Sequence, residues 1–535
     1  MDASEWWVTP LAWLFARRPD WRDAVGRWLL RLGRGFYWGL AVLFALAGAW
    51  DLFAQPFNRQ LSADSFDWLM NHRPRPYTPD PDIVVLDIDE PSLNALAPRY
   101  GRWPWPNQVL GDVAARIEAA HAQAIAFDIL FADPDVAHPD SELAFDRYVR
   151  SSRRSFFSAV RLNPKGDASS HITVSMLNFA QPAPGTPASQ IDGMRTVALL
   201  PPYFKSIYDS TRTGITNIVP DPDNVVRWYV NYETIGGYRI PSLPFRMAQV
   251  LGWPLPRQPH SLVNWPKGGA RYRTIPFADA YHAATSGADE FFTRFAHSVV
   301  LVGSTAPSLH DLKATPVERL HPGIDLLAIV IDNVKNARFL HPLHPLWIWA
   351  FEIAMLAASA LLFARARHVT AVARYFVIVP MALVLISLIS ISVSHVLMDL
   401  SVPAALVLAY FAFAKIFQTN SLGFISGTGA YAPTPAERAA GRLQIACLPA
   451  TIPRARILAR LISPGPPIKL WEPANAGLGA EWDAQGWVLW RWSVADDSME
   501  MGSHWHDVPC NEPSSSFPLA QTIAAAARQI AVTRS

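Results

Sequence analysis

The sequence predicts an extracytoplasmic α/β domain with a mixed sheet and crossover helices, four transmembrane α-helices, and a small α+β cytoplasmic tail. Three observations support this fold class. Four apolar segments are each long enough to cross a bilayer. The long region between the first two alternates β-branched runs with helix-like segments. Half of the 535 residues are hydrophobic and only 17% are charged, whereas soluble domains average about 25% charged residues.

The four apolar segments lie at residues 36–55, 346–364, 375–394 and 397–417. Each is close to the ~20 apolar residues that cross the hydrocarbon core. Arginines are concentrated before the first segment and between the second and the third, and basic residues favour the cytoplasmic side of a membrane. These arginines are Arg17, Arg18, Arg22, Arg27, Arg31, Arg34, Arg365, Arg367 and Arg374.

The arginines predict the topology of a multi-pass protein of the inner (plasma) membrane, with the lipid bilayer as one partner. Residues 1–35 form a cytoplasmic N-terminal tail, residues 56–343 lie outside, and residues 421–535 return to the cytoplasm. A cleaved signal peptide is the alternative for the first span, because residues 47–49 (AGA) resemble a cleavage site. The long preceding tail favours an uncleaved anchor.

Charge and cysteine usage exclude some functions. A net charge of +2 gives no indication of nucleic-acid binding. Both cysteines, Cys447 and Cys510, fall in the tail, so the exported domain cannot rely on disulfides. His504 and His506 lie near Cys510, but their spacing fits no zinc motif with two close ligand pairs. We therefore predict no metal and no cofactor.

The exported domain begins with a predicted crossover unit. Residues 83–88 (IVVLDI) and 124–131 (AIAFDILF) are continuous apolar runs, typical of strands covered on both faces. Between them, residues 101–106 (GRWPWP) lead into a segment in which Val109 and Val113 recur at helical spacing. Strand, helix and strand within ~50 residues indicate a parallel crossover. Residues 101–106 are therefore predicted to leave the carboxyl end of the first strand.

Later segments complete the predicted domain. Residues 225–233 (VVRWYVNYE) alternate and indicate an antiparallel strand after a turn. Residues 242–251 (SLPFRMAQVL) indicate a helix, and residues 298–305 (SVVLVGST) a third buried strand. Residues 323–340 (GIDLLAIVIDNVKNARFL) indicate a helix that leads directly towards the second membrane span. In the tail, residues 468–471 and 487–494 are predicted strands, and residues 454–462 and 517–532 predicted helices.

Several motifs, in order, resemble the second type of CHASE domain, an extracellular sensory module associated with cyclases and histidine kinases. The resemblance covers about residues 60–340 and is followed by three membrane spans, as in that family. The matching motifs are VVLDIDEPSL (84–93), GRWPWPN (101–107), AIAFDILFADPD (124–135), GITNIVPDPDNVVRWYVNY (214–232), VVLVGSTAPSLHDLKATPV (299–317) and HPGIDLLAIVIDNV (321–334).

The resemblance implies a membrane receptor that detects an unidentified extracytoplasmic ligand and relays the signal to a cytoplasmic signalling protein. The receptor class also implies a homodimer. The chain departs from the family in its tail, which lacks GGDEF, HRD, DFG and phosphate-loop motifs. We therefore expect no catalytic residues. An enzyme with an unrecognised catalytic tail is the alternative, and a transport-linked membrane subunit, suggested by Glu352 alone, is a third hypothesis.

Six residues are candidates for binding a ligand or for clamping the fold. Asp87 and Asp89 lie two apart on the predicted first strand, and Asp128 lies at the second, near the sheet edge that ligands favour. Under one hypothesis these carboxylates line a pocket roofed by Trp103 and Trp105, with Arg102 pairing with an acid. Under the other, the acids accept hydrogen bonds from loop amides and from Arg102 and hold the loop in place. The six candidates are Asp87, Asp89, Arg102, Trp103, Trp105 and Asp128.

Two further features have competing interpretations. Asp-Pro-Asp occurs at residues 80–82, 133–135 and 221–223. These pieces predict turns rather than calcium loops, because the residues after the third lack the oxygen ligands that calcium requires. Glu352 lies within the second span, where an ionisable side chain is a functional candidate. It would otherwise face neighbouring helices and bond to Ser or Tyr, or lie near enough to the surface to be hydrated.

Overall fold

The computed structural model describes residues 35–54, 59–208, 211–268, 270–309, 311–365, 369–426, 442–448, 469–471, 487–493 and 505–509. The chain divides into two compact units. One contains Pro56–Ile348 and Val379–Val402, and the other contains Met1–Gln55, Trp349–Ile378 and Pro403–Ser535. The predicted N-terminal tail before residue 35 and the predicted tail helices at 454–462 and 517–532 lie outside the described residues.

The described α-helices are α1 (Gly35–Phe53), α2 (Arg59–His72), α3 (Glu90–Tyr100), α4 (Asn107–Ala119), α5 (Pro139–Ser151), α6 (Lys205–Tyr208), α7 (Leu243–Leu251), α8 (Phe277–Ser286), α9 (Gly323–Lys335), α10 (Pro345–Arg365), α11 (Val369–Val393) and α12 (Ser401–Ser426). Short 3-10 helices are Pro164–Ser169, Val174–Met176, Ala188–Gln190, Asp289–Phe295 and Pro307–Leu309.

The described strands are β1 (Ile83–Asp87), β2 (Ala124–Phe127), β3 (Ser155–Arg161), β4 (Gln181–Pro182), β5 (Leu199–Leu200), β6 (Thr213–Ile215), β7 (Trp228–Val230), β8 (Tyr232–Ile235), β9 (Tyr238–Pro241), β10 (His260–Leu262), β11 (Arg273–Pro276), β12 (Val299–Gly303), β13 (Leu312–Lys313), β14 (His321–Pro322), β15 (His341–Pro342), β16 (Val396–Leu397), β17 (Arg442–Leu448), β18 (Lys469–Trp471), β19 (Trp487–Ser493) and β20 (Trp505–Pro509).

A seven-stranded mixed sheet is the centre of the larger unit. Its order is β11-β1-β12-β2-β3-β5, and β6 also pairs with β3. All neighbours are parallel except β5, which is antiparallel to β3. Strand β12 comes late in the chain, yet it lies between β1 and β2. The predicted α/β domain with a mixed sheet and crossover helices is therefore present.

Both faces of this sheet are buried, which explains the continuous apolar runs of its strands. In β1, Ile83 and Val85 face one core cluster, whereas Val84 and Leu86 face another. Helices α2, α7 and α9 supply the first cluster, and α3, α4, α5 and α8 supply the second. A third, smaller cluster lies beyond β3 and includes Phe179.

The prediction that residues 101–106 leave the carboxyl end of a strand was wrong, because α3 stands between β1 and this loop. The side chain of Asp89 caps α3 by accepting a hydrogen bond from Ser92 N at 2.8 Å. A proline lies in the first helical turn, and Pro98 lies inside the helix. Prolines at both ends obscure a helical pattern, although an Asp followed by Glu and Pro is an ordinary helix start. Gly101 ends α3 with φ of 76°, a conformation that favours glycine.

The segment before the second apolar helix also differs from its prediction. Helix α9 ends at Lys335, not at residue 340, and the chain then forms β15 before α10 begins. The predicted strand at 225–233 is divided into β7 and the start of β8, which pair antiparallel with β10 and β9. The helix predicted at 242–251 and the buried strand predicted at 298–305 are confirmed as α7 and β12.

Apolar helices characterise the second unit. Among the described residues, Gly35–Phe53 and Pro345–Ala364 are long and apolar enough to cross a membrane, judged by length and composition alone. Ser401–Phe417 is a shorter apolar stretch, as is Ile378–Val393, which apart from Ile378 belongs to the larger unit. Helices α1, α10 and α12 pack through a shared apolar cluster. Trp349 Nε1 donates to the Ala45 carbonyl at 2.9 Å, which links α10 to α1.

The described part of the predicted tail is a four-stranded antiparallel sheet in the order β18-β19-β17-β20. Strands β18 and β19 are the two that the sequence predicts. The structure adds β17 and β20, which flank them in the chain.

Candidate functional site at the carboxyl edge of the sheet

The chain changes direction at the carboxyl ends of β1 and β12. Strand β1 leads into α3 on one face of the sheet, whereas its neighbour β12 leads to α9 on the other. Ligands of open α/β sheets bind in the crevice at such switch points. The candidate carboxylates Asp87, Asp89 and Asp128 all belong to this edge.

Two of the three predicted acids are held by the fold. The Asp87 carboxylate accepts hydrogen bonds from Thr305 N at 2.8 Å and from Thr305 Oγ1 at 2.5 Å. Burial raises the pKa of Asp87 above its usual range, although these hydrogen bonds oppose the shift. The prediction that Asp89 lies on β1, on the same face as Asp87, was wrong. The strand ends at Asp87, and Asp89 caps α3. Asp87 thus holds the loop after β12 and Asp89 the start of α3, whereas the second hypothesis had these acids hold the loop of residues 101–106.

Asp128 is different because no hydrogen bond to its carboxylate is formed by any described residue. It directly follows β2 and is half-buried. Burial raises the pKa of Asp128 to about 7, the nearby Asp311 adds to the shift, and Lys313 opposes it. Gly303 permits the close packing here, since a Cβ on Gly303 would lie 3.1 Å from Asp128 Cβ and 2.6 Å from Ile324 Cδ1.

A fourth acid, Asp325, extends this edge and was not predicted. It lies in the first turn of α9 and is buried. Burial raises its pKa, opposed by His321 and Arg271. Glu318 contacts both of these side chains, accepting a hydrogen bond from Arg271 at 2.8 Å and lying 2.7 Å from His321 Nδ1. The sequence signal that could have identified Asp325 is its position in HPGID (321–325), at a helix start that follows a proline.

The loop of residues 101–106 packs against the core through its two tryptophans. Trp105 is 3% exposed and lies 5.4 Å from the Phe277 ring on α8, measured between ring centroids. Trp103 is half-buried and meets Trp105 edge-on at 5.1 Å. Together the two rings close one core cluster of the sheet.

The structure does not unite the six candidates in one pocket. The predicted pairing of Arg102 with Asp89 or Asp128 is wrong, because Arg102 is exposed and forms no ion pair with a described acid. Trp103 and Trp105 contact each other and the helices, whereas the carboxylates contact the β12 loop and the start of α3. Within the described ranges, no group of three His, Cys, Asp or Glu side chains is placed to hold a metal ion.

The Asp-Pro-Asp pieces form turns, as predicted. Asp80, Asp135 and Asp223 each accept a hydrogen bond from the amide two residues later, at 2.9, 3.1 and 3.1 Å. The third piece also holds Arg227, which is 4% exposed. Its guanidinium pairs with Asp221 at 3.0 Å and with Asp223 at 2.8 Å.

Glu352 lies inside the apolar unit and is fully buried. Neither of its carboxylate oxygens has a hydrogen-bond partner among the described residues, so the expected bond to Ser or Tyr is not present there. The carboxylate fills the space beside Gly48 of α1, where a Cβ would collide with it. Glu352 therefore occupies a notch between α1 and α10.

The fold defines a class of protein in which an α/β domain lies between two apolar helices in the chain. The family model for the CHASE2 domain matches residues 40–364, which contain most of Gly35–Phe53 and all of Pro345–Ala364, the two described helices that are long enough to cross a membrane. The chain belongs to the CHASE2 domain family, as its motifs predict. CHASE2 domains are extracellular sensory domains of membrane proteins. No curated protein and no solved structure matches the chain.

Proposed function

We propose that this protein is a multi-pass membrane receptor. Its CHASE2 domain lies outside the cytoplasm and detects a signal there, and a change in helix packing carries that signal to the cytoplasmic tail. The tail then acts on a separate signalling protein and has no catalytic activity of its own. Family membership supports the sensory role, and one structural connection supports the relay.

That connection is a β-bridge between the sensory domain and the segment that joins α11 to α12. Strand β15 pairs in parallel with β16, which places His341 beside Val396. His341 N donates to the His395 carbonyl at 2.9 Å, and Leu343 N donates to the Leu397 carbonyl at 2.9 Å. On its other side, Leu340 N donates to the Leu262 carbonyl of β10 at 3.0 Å. Backbone hydrogen bonds thus connect β10, β15 and the α11–α12 connection in sequence.

Packing strengthens the same connection. Ile391 at the end of α11 is fully buried, and it lies with Leu397 in the core cluster formed by α2, α7 and α9. Ser387 Oγ donates to the Met398 carbonyl at 2.9 Å, and Ser390 Oγ donates to the Val396 carbonyl at 2.9 Å. These hydrogen bonds join the end of α11 to the segment that leads into α12. A rearrangement of the sensory core would therefore move two apolar helices together.

Reporter fusions test the compartments that this function requires. A reporter enzyme that is active only outside the cytoplasm should be active when fused after Pro345 and silent when fused after Ser426, where α12 ends. The reverse pattern, or activity at both sites, would contradict the proposed topology. Turnover of a nucleotide by the purified full-length protein would favour the alternative in which the tail is an enzyme.

A further inference from the structure

A buried arginine of the sensory domain has no acid partner among the residues that the structure describes. Arg246 is on α7 and is 3% exposed. Its Nη2 donates to the Phe179 carbonyl, whereas its Nε is buried with no hydrogen-bond partner among the described residues. The guanidinium forms no ion pair with a described acid, and burial lowers the pKa of Arg246 to about 10. Buried charges are normally paired, so this one has an unmet requirement for an anion.

The arginine lines a small pocket of ≈ 60 Å³ between α7 and the sheet formed by β4 and β9. That volume holds a few water molecules or one small anion, but not a sugar or a nucleotide. Gln181 and Pro182 line the pocket and are exposed, so solvent reaches it from that side.

Two more side chains in the pocket have unsatisfied polar atoms. Arg239 on β9 has a buried Nε without a described partner, and its guanidinium lies 4.0 Å from the centre of the Tyr232 ring. Gln249, one helical turn after Arg246, has a buried Oε1 that is likewise unpartnered within the described residues. Its amide supplies either a donor or an acceptor, because the two ends of an amide are interchangeable by rotation. Two cations and one amide thus converge on one small space.

We propose that this pocket binds a small oxyanion, namely a carboxylate or a phosphate group, between Arg239 and Arg246. The planar guanidinium donates paired hydrogen bonds to such groups, and binding satisfies the Nε atoms of both arginines. Gln249 completes the contact through its amide. This inference rests on the proposed receptor function, since it assigns the chemical class of ligand that the sensory domain takes.

The position of the pocket connects it to the proposed relay. Phe245, Arg246 and Gln249 of α7 line the pocket. The opposite side of α7 contributes Leu243 and Met247 to the core cluster that also contains α9, Ile391 and Leu397. An anion held by Arg246 therefore fixes the helix that packs on the core next to the α11–α12 connection.

Thermal melting of the purified full-length protein in detergent tests the proposal. The probes are sodium acetate and sodium phosphate in Tris chloride, each compared with sodium chloride at equal ionic strength. A ligand that binds only the folded state raises the melting temperature, here by roughly 3 °C at an anion concentration about tenfold above Kd. The variants are Arg246→Leu, Arg239→Gln and, as a control, Arg257→Gln, which changes an exposed arginine of the same domain.

We expect acetate, phosphate or both to stabilise the wild type and Arg257→Gln. The effect should be lost in Arg246→Leu and reduced in Arg239→Gln. Without anion, Arg246→Leu should melt at the same temperature as the wild type or higher, since it removes an unpaired buried charge. Stabilisation by one probe alone identifies which group the site prefers.

Three results would overturn the proposal: no stabilisation of the wild type by either probe, equal stabilisation of all four proteins, or an Arg246→Leu variant that melts lower yet keeps the anion effect. The last would make Arg246 a structural residue that supports the Phe179 carbonyl. None of these results bears on the reporter fusions, so failure of the anion site and failure of the receptor topology are distinguishable.

Discussion

Two buried arginines of the sensory domain, Arg227 and Arg246, are 4% and 3% exposed. Arg227 is surrounded by carboxylates, whereas Arg246 pairs with no described acid. Arg227 is held by three carboxylates, and its hydrogen bonds to them raise its pKa although burial opposes the shift. Arg246 has only the Phe179 carbonyl and an unpartnered Nε among the described residues, and burial lowers its pKa. An arginine with a structural role, such as Arg227, forms ion pairs with acids of the same chain. An arginine that serves a ligand lacks them.

The Arg227 region shows what a structural arginine does. Its third acid, Asp67, belongs to α2 and accepts from Arg227 Nη2 at 2.7 Å. The other two acids lie in the turn after residue 220. Arg227 therefore fastens α2, which begins directly after the first apolar helix and its connection, to the rest of the domain.

The largest expected effect comes from Arg227→Leu. Removing one side of a buried ion-pair network leaves the other charges uncompensated and costs about 3–5 kcal/mol. At roughly 2–4 °C per kcal/mol, the melting temperature of the full-length protein should fall by about 10 °C. Asp223→Asn is the matched control and should cost less, because two acids remain. Equal costs for Arg227→Leu and Arg246→Leu would abolish the distinction between the two regions.

A comparable decrease in the unfolding free energy is expected when a large buried apolar side chain is removed. Trp105→Ala should cost about 3–5 kcal/mol, because it empties a site in the core beside Phe277. Trp103→Ala should cost less, since its ring is only half-buried. Arg102→Ala should stay within about 0.5 kcal/mol, as for other exposed positions. Denaturant unfolding of the three variants measures this order. A large decrease in the unfolding free energy of Arg102→Ala would support the ion pair that the sequence predicts.

Asp128 extends the comparison to acids and gives the smallest effect. Its folded pKa of about 7 lies above the ordinary value of 3.8, so the folded state holds the proton more tightly between these two pH values. Stability from this group is therefore complete below about pH 4 and is lost as the pH rises through 7. Asp128→Asn should raise the unfolding free energy by about 1 kcal/mol at pH 8, a value discounted for partial exposure. At pH 4 it should change little.

Melts of wild type and Asp128→Asn from pH 4 to pH 8 check this slope. Asp87→Asn is the contrasting variant, because its amide nitrogen cannot accept a hydrogen bond from Thr305, so at each pH it should be less stable than Asp128→Asn. Parallel pH profiles for the wild type and Asp128→Asn would show that Asp128 is not the source of the dependence.

The sequence predicts those features that depend on local pattern. Strands β1, β2 and β12 are continuous apolar runs, and the family motifs lie along the same segments. Helix α3 was missed because its prolines disguise it, although Asp89 and Glu90 mark its start. The candidate acids were correctly placed near the sheet edge, but their partners were not. Asp87 and Thr305 are 218 positions apart, and no local spacing brings them together.

The arginine pocket could not be predicted for a related reason. In residues 242–251, Arg246 stands in an ordinary amphipathic helix and resembles a solvated charge. Its burial depends on β4 and β9, which the chain brings from other segments to cover α7. That no described acid pairs with Arg246 is a property of the assembled domain. Arg227 looked equally ordinary in sequence, so only the fold separates the two.

We propose that the sensory domain is coupled to the tail through the bridge between β15 and β16. A disulfide between His341→Cys and Val396→Cys, which are register partners, locks this bridge. The background carries Cys447→Ser and Cys510→Ser, so that no other thiol interferes. Hydrogen–deuterium exchange of the full-length protein is then compared between the oxidised and reduced forms, with each single-cysteine variant as a control.

The measurement is the exchange of the tail strands Arg442–Leu448 and Trp487–Ser493. Oxidation should change their exchange in the double variant and in neither single variant, because fixing the bridge restricts the helices that lead to the tail. Unchanged exchange in both strands, while exchange around the locked bridge slows, would contradict the coupling.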